Sequence, residues 1–128
     1  MNEKAWTKSI VVHRKKCEMI LSFSKNIRYA GVFNEHGRTI SGKIRPGVKP
    51  LFSSNAVREE FFAIASIMKL RRKSARELGN VEFIQITHKK INILLFYKNY
   101  MTYYITINSK RKPTAMLINK IKKIIIQG

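Results

Sequence analysis

Few residues in this sequence have the type and spacing that chemistry needs. Gly42-Lys43-Ile44-Arg45-Pro46-Gly47-Val48-Lys49-Pro50 has the glycine and lysine content of a phosphate-binding loop. That chemistry requires Gly, four residues, then Gly-Lys and a hydroxyl residue opening a helix. Here Val48 separates Gly47 from Lys49, and Pro50 stands where the Mg²⁺-holding hydroxyl belongs. Pro46 further restricts the backbone that would cradle phosphate. The stretch therefore reads as an ordinary strand-to-helix loop. Lys43, Arg45 and Lys49 keep a weaker capacity, to touch an anion near a helix N-terminus.

His13, His36 and His88 fall on a helix and two separate turns, and none forms a close pair with metal-ligand spacing. Cys17 is the only cysteine, so no intramolecular disulfide can form, which suits a reducing cytoplasm. It lies on the apolar stripe of its helix, where a thiol is a packing group rather than a nucleophile. His13 and Cys17 are four apart and could meet, but no third, orienting residue is evident. Glu59 and Glu60 are adjacent, so on a helix they point in different directions and do not make an acid/base pair. All 7 acidic residues are Glu; Asp, a frequent Mg²⁺ ligand and catalytic carboxylate, is absent. The expectation is a protein that is not an enzyme and carries no metal and no cofactor.

Charge is the second signal. Lys and Arg number 26 against 7 acids, giving +19. Such a charge attracts polyanions: nucleic acid, an anionic surface or an acidic protein. The chain is also rich in Lys, Asn and Ile, as AT-biased coding produces, so composition is the competing source of the charge. The cations cluster at Arg14-Lys15-Lys16, at Arg71-Arg72-Lys73 with Arg76, at Lys110-Arg111-Lys112 and at Lys122-Lys123. Each cluster alone suits a solvated face. If they converge, they supply sequence-independent phosphate affinity with steep salt dependence. Tyr100 and Tyr104, with Tyr97 nearby, could stack bases, though core or interface packing explains them as well. No helix-turn-helix, zinc-finger or RNP-like signature is present.

The elements that must carry these residues follow from hydrophobic period. Over residues 3–24, Trp6, Ile10, His13, Cys17, Ile20, Leu21 and Ser24 step by three and four, the mark of one helix face. Residues 27–33 and 38–44 read as strands of a hairpin around the turn Asn34-Glu35-His36-Gly37. Gly31 and Gly42 within those strands permit close packing by something above them. Residues 45–52 are a loop. Ser53, Ser54 and Asn55 offer cap oxygens for a helix expected to run to about Leu78 and stop at Gly79. Glu59 and Glu60 are expected near its start, where the dipole favours anions. Its main stripe is Val57, Phe61, Ile64, Ala65, Met68, Ala75 and Leu78, widened by Phe62, Ile67 and Leu70. Residues 81–87, 91–97 and 100–108 read as a three-stranded meander, with Lys98-Asn99 as the second connection. The middle run is apolar on both faces, as it must be if both sides are covered. Pro113 fits the first turn of a last helix, whose stripe is Leu117, Ile118, Ile121, Ile124 and Ile125.

The expected fold is α+β, α-β-β-α-β-β-β-α, a five-stranded antiparallel sheet in a single domain over residues 1–128. The long middle helix should cover one face and the terminal helices the other. Residues 1–16 lack the apolar run of a secretory signal. The longest apolar runs, such as residues 91–97, are too short to span a bilayer, so a cytoplasmic chain without integral membrane association is expected.

Element order matches the roadblock/dynein light chain and profilin-like folds. Ile27-Arg28-Tyr29-Ala30-Gly31-Val32-Phe33-Asn34, Gly47-Val48-Lys49-Pro50-Leu51, Arg71-Arg72-Lys73 and Glu77-Leu78-Gly79-Asn80-Val81-Glu82-Phe83 resemble those of a small uncharacterised family from ammonia-oxidising archaea with that fold. The resemblance spans about residues 17–125, and its motifs are hairpin, turn and cap residues, which speak to kinship and fold rather than chemistry. It implies a scaffold or protein-interaction module, often found beside small GTPases, that forms a homodimer by pairing the strand after the long helix and packing the long helices together. Carried over, the interface residues are Phe62, Leu70, Val81 and Phe83. The charge departs from that pattern: two protomers at +19 repel unless the charge lies away from the seam or a polyanion binds. The alternative function is polyanion binding through Arg14, Lys15, Lys16, Arg71, Arg72, Lys73, Arg76, Lys110, Arg111 and Lys112, with nucleic acid or an acidic protein as partner. A third is a small-ligand sensor, because profilin-like sheets often form a pocket under a helix.

Overall fold

The middle strand of the meander carries apolar side chains in both parities, so any sheet containing it must be covered twice. The computed structural model, which describes residues 3–108 and 112–127, meets that demand with three layers. Its elements are α1 (Glu3–Ser22), β1 (Ile27–Phe33), β2 (Thr39–Ile44), α2 (Ser54–Lys73), α3 (Ala75–Leu78), β3 (Phe83–Thr87), β4 (Ile91–Lys98), β5 (Met101–Asn108) and α4 (Ala115–Ile126). The strands form one antiparallel sheet in the order β2-β1-β5-β4-β3. Leu94, Phe96, Tyr103, Ile105 and Ile107 point to one face, where Cys17, Ile20 and Leu21 of α1 and Ile121 and Ile125 of α4 cover them. Ile93, Leu95 and Tyr104 point to the other, under Phe61, Ile64, Ala65 and Met68 of α2. The expected α+β architecture and the division of helices between the faces are both present.

Local chemistry sets the element ends. Asn34 Oδ1 accepts from the backbone N–H of His36 and of Arg38, and Gly37 takes φ +81°, closing the β1–β2 turn. Tyr29 lies across Gly31 and its cross-strand partner Gly42; a Cβ on either glycine would collide with the Tyr29 hydroxyl oxygen. The close packing expected over these glycines is therefore supplied by a side chain of β1 itself. Ser53 caps α2, accepting from the Ala56 N–H at 3.2 Å, and Thr114 caps α4, accepting from Leu117 at 3.1 Å.

Several expectations need correction. The middle helix does not run unbroken to Leu78. It ends at Ser74, whose N–H bonds back to Arg71 and Arg72, and one further turn, α3, closes at Gly79 with φ +79°. Leu78 is exposed rather than part of the buried stripe, and so are Phe62, Ile67 and Leu70. Trp6 is exposed too, because burial on α1 is concentrated in its C-terminal half. No acid lies in the first turn of α2; Glu60 instead accepts a hydrogen bond from the Tyr104 hydroxyl at 3.0 Å. Pro113 precedes the cap of α4 instead of lying in its first turn. Pairing in β3 begins at Phe83, not Val81. The β4–β5 connection is Asn99-Tyr100, with φ of 51° and 64° between paired Lys98 and Met101, so Tyr100 is a turn residue. Two left-handed residues in a two-residue loop match the right-handed twist of the strands.

The β1–β2 turn also abuts α2. A Cβ built on Gly37 would lie 2.8 Å from the backbone N and Cα of Phe62, and helix backbone cannot step aside as a side chain can. With its positive φ, this makes Gly37→Ala costly on two counts. It should lose about 2–4 kcal/mol of unfolding free energy in urea titrations, whereas Gly47→Ala, with φ +82° but open space around it, should lose only the conformational part.

Candidate functional site

The long helix offers an outer face that is apolar in its own right. At 100° per residue, Phe61, Ile64, Ala65 and Met68 point into the sheet, and Phe62, Ile67 and Leu70 lie on the remaining arc. They are 66%, 46% and 54% exposed, and the small Ala63 and Ser66 sit between them. What sets these three apart from the other exposed apolar side chains is that they share one face of one long helix. β3 lies at the edge of the sheet, with no strand beyond it.

The four residues expected at a dimer seam do not share a surface. Phe62 and Leu70 lie together on the α2 face. Phe83 is on the opposite side of the sheet, stacked on Phe96 at 5.9 Å and covered by the Lys122 ammonium at 5.0 Å. Val81 is half-buried in the connection before β3. Ile67, absent from that set, joins Phe62 and Leu70 on the outer face. Its helical angle was the available signal.

The basic clusters divide between the two layers. Arg14 and Lys15 are exposed on α1, and Lys112 just before α4, on one side of the sheet; Arg71, Lys73 and Arg76 belong to the other. Lys110 and Arg111 lie outside the described residues. Two of the expected contacts, Lys16 and Arg72, are committed internally. Lys16 donates to the Ile125 carbonyl at 3.1 Å, and Lys98 to that of Ile126 at 2.5 Å, so two ammonium groups cap the negative end of α4. Arg72 donates to the Tyr97 hydroxyl at 3.0 Å, sits 4.6 Å above the Tyr100 ring and lies 3.9 Å from Glu35. It thereby ties the end of α2 to both sheet turns. Tyr97 and Tyr100 are thus Arg72 partners and Tyr104 is buried, so the three do not form a stacking platform.

The phosphate-loop residues also separate. Arg45 is a structural fork, donating to the carbonyls of Ile27 (2.7 Å), Leu21 and Ser24 (2.7 Å) around the end of α1. Lys43 is 3.8 Å from Glu18, and Lys49 is exposed. Burial pushes the Cys17 thiol up to about 12, with Glu18 adding to the shift, so the thiolate a nucleophile needs does not form near neutrality. His13 does not pair with Cys17. Its Nδ1 lies 2.5 Å from the Tyr103 hydroxyl. His36 and His88 are not drawn into any cluster with it. Among the described residues no group of three His, Cys or Glu is placed to hold a metal, and no helix is long and apolar enough to cross a membrane.

No protein-family model matches the chain, and no curated protein matches it. Solved structures do. MglB from Thermus thermophilus superposes with a TM-score of 0.70 at 11% identity, over 91% of this chain and 87% of that one. An MglB described as having a tetrameric arrangement gives 0.68 at 13% identity, over 93% and 83%. A roadblock/LC7 domain from Streptomyces avermitilis gives 0.59 at 8% identity, over 89% and 98%. The fold is of the roadblock/profilin-like kind. At these identities the likeness speaks to architecture alone.

His13 makes stability depend on pH. Burial, and then the neighbouring Lys16 ammonium, hold its imidazole below the ordinary 6.5. In that neutral form Nδ1 shares a hydrogen bond with the Tyr103 hydroxyl, whose own pKa burial raises. The unfolded chain therefore binds the proton more readily, and its contribution to stability is full above pH 6.5 and lost as pH falls through the lower folded-state value. Denaturant midpoints should fall between about pH 7 and 5, and His13→Gln should flatten that part of the profile.

Proposed function

We propose that the chain is a single-domain, non-enzymatic interaction module of roadblock type, which pairs with a second copy through the outer face of α2 and the free edge of β3. The observation that carries this reading is the exposed Phe62, Ile67 and Leu70 around Ala63 and Ser66. Small residues let a second helix approach closely, and the three large side chains lose their exposure when it does. The charge pattern favours an antiparallel pair. With Ser66 at the two-fold axis, Glu59 and Lys73 are each seven residues away, so Glu59 of one helix faces Lys73 of the other. The MglB in a tetrameric arrangement is a precedent for assembly on this fold. Kinship with the small archaeal family fits the same picture.

Light scattering on the eluting protein at roughly ten micromolar should give twice the protomer mass. Phe62→Glu combined with Leu70→Glu should return the monomer with unchanged circular dichroism, since both side chains are exposed. A wild-type monomer under those conditions would refute the reading.

A second reading, polyanion binding with little sequence preference, is favoured by one observation: Arg14, Lys15 and Lys120 lie exposed in the α1/α4 layer, without an ion pair among the described residues. Fluorescence anisotropy with labelled single- and double-stranded DNA should show affinity falling linearly with log salt, each lost phosphate contact lowering the slope by about 0.7–0.9. Arg14→Glu with Lys15→Glu should weaken binding for every sequence alike. Absence of binding at low salt would sink this second reading and leave the first intact.

A further inference from the structure

A β-bulge re-aims one residue of β1. Ile27 pairs with Ile107 and Tyr29 with Thr106, so two steps along β1 answer one along β5. Arg28 is the extra residue and leaves the strand's alternation. With Tyr29 it lines an open pocket of about 300 Å³ on the α2 face of the sheet, bordered by Thr106, by Val57 and Phe61 of α2 and by residues 49–52 of the preceding loop. That volume stands at the lower end of the roughly 300–1,000 Å³ typical of small-molecule sites.

Two of its lining residues each carry a buried polar atom without a partner. Thr106 is 3% exposed, yet its Oγ1 has no hydrogen-bond partner. Arg28 Nε is likewise buried and unpartnered. The guanidinium is nevertheless held in place, because its terminal nitrogens donate to Asn108 Oδ1 at 3.3 Å and to the Lys49 carbonyl at 3.0 Å. Leaving a buried polar group unpaired costs about 1–3 kcal/mol, so two at one cavity ask for a ligand. Charge specifies its sign. No carboxylate lines the cavity or lies within ion-pair distance of Arg28 among the described residues, and Lys49 stands on the same wall. The rest of the lining is largely apolar. Leu51 and Phe52, on the loop, remain 45% and 41% exposed beside it.

We infer that this cavity binds a small carboxylic acid with an apolar, phenyl-sized body. The carboxylate takes the Arg28 Nε–H and the Thr106 hydroxyl, and Leu51 and Phe52 cover the body. A guanidinium already fixed by two other hydrogen bonds is a pre-organised carboxylate donor. The site is separate from the outer face of α2, so it does not depend on self-association.

The test uses 3-phenylpropionate, with 3-phenylpropan-1-ol as the same body without charge and acetate as the charge without a body. In amide NMR titrations of the full chain, 3-phenylpropionate should give saturable shifts at Arg28, Leu51, Phe52 and Thr106. The alcohol should bind at least about tenfold more weakly, and acetate should not saturate by about 10 mM. Arg28→Gln and Thr106→Val should each weaken the carboxylate about tenfold while leaving the alcohol within about twofold. Thr106→Val breaks no side-chain hydrogen bond in the free protein, so it stays folded and decides the matter if Arg28→Gln does not. Absence of saturable shifts overturns the inference. So does equal binding of acid and alcohol, or unchanged carboxylate affinity in folded Thr106→Val.

Discussion

β4 presents apolar side chains on both faces, and β5 beside it adds Tyr103, Ile105 and Ile107 to one face and Tyr104 to the other, so neither face can be left wet. Burying a single Leu, Ile or Phe side chain is worth about 1.5–3 kcal/mol, and this pair of strands buries most of its side chains, above and below. Everything else in the fold serves that demand. α1 and α4 share one face because neither covers it alone. A single long helix, α2, covers the other, and its cover is partial. Where α2 begins, the sheet beneath it is left with the Arg28 cavity. Where it faces outward, its second apolar arc has nothing against it.

The same constraint explains what the charge does. With so few acids, the lysines and arginines cannot be neutralised pairwise, and the ion pairs that form are mostly exposed and individually weak. The chain instead uses selected cations where the backbone supplies negative charge. Arg45 gathers carbonyls at the end of α1, and Lys16 with Lys98 does the same for α4. Arg72 is held by a phenol and a ring as much as by Glu35. The remaining cations are spread over both helical layers.

Legibility in the sequence followed the range of the interactions involved. Period alone placed every strand and every long helix, because alternation and the three-four step are local signals. The hairpin turn was legible for the same reason, in Asn34 and Gly37. The errors were ones of ownership. Phe62, Ile67 and Leu70 widened a stripe in the sequence, but a helix over one sheet has room to bury only one arc. Glu60 read as a helix-start charge because Tyr104, its partner, lies 44 residues away. Arg72 and Lys16 read as members of basic runs, and their partners are likewise distant in sequence. The cavity left no trace in the sequence, since a single-residue bulge changes no pattern that a window can see.

The strand order has a further consequence, for assembly of the fold in time. β1–β2 is a local hairpin and β3–β4–β5 a local meander, but the sheet is whole only when β1 meets β5, where Gly31 faces Tyr104. That closure is the longest-range pairing in the sheet, and chain entropy makes it the slow one. As the chain emerges in order, β1 waits with its inner edge open while the meander is still being made. An open apolar edge is a template for the wrong neighbour. Mutual repulsion between strongly cationic chains is protection during that wait, so the charge that the finished fold scarcely pairs has its use before the fold is finished.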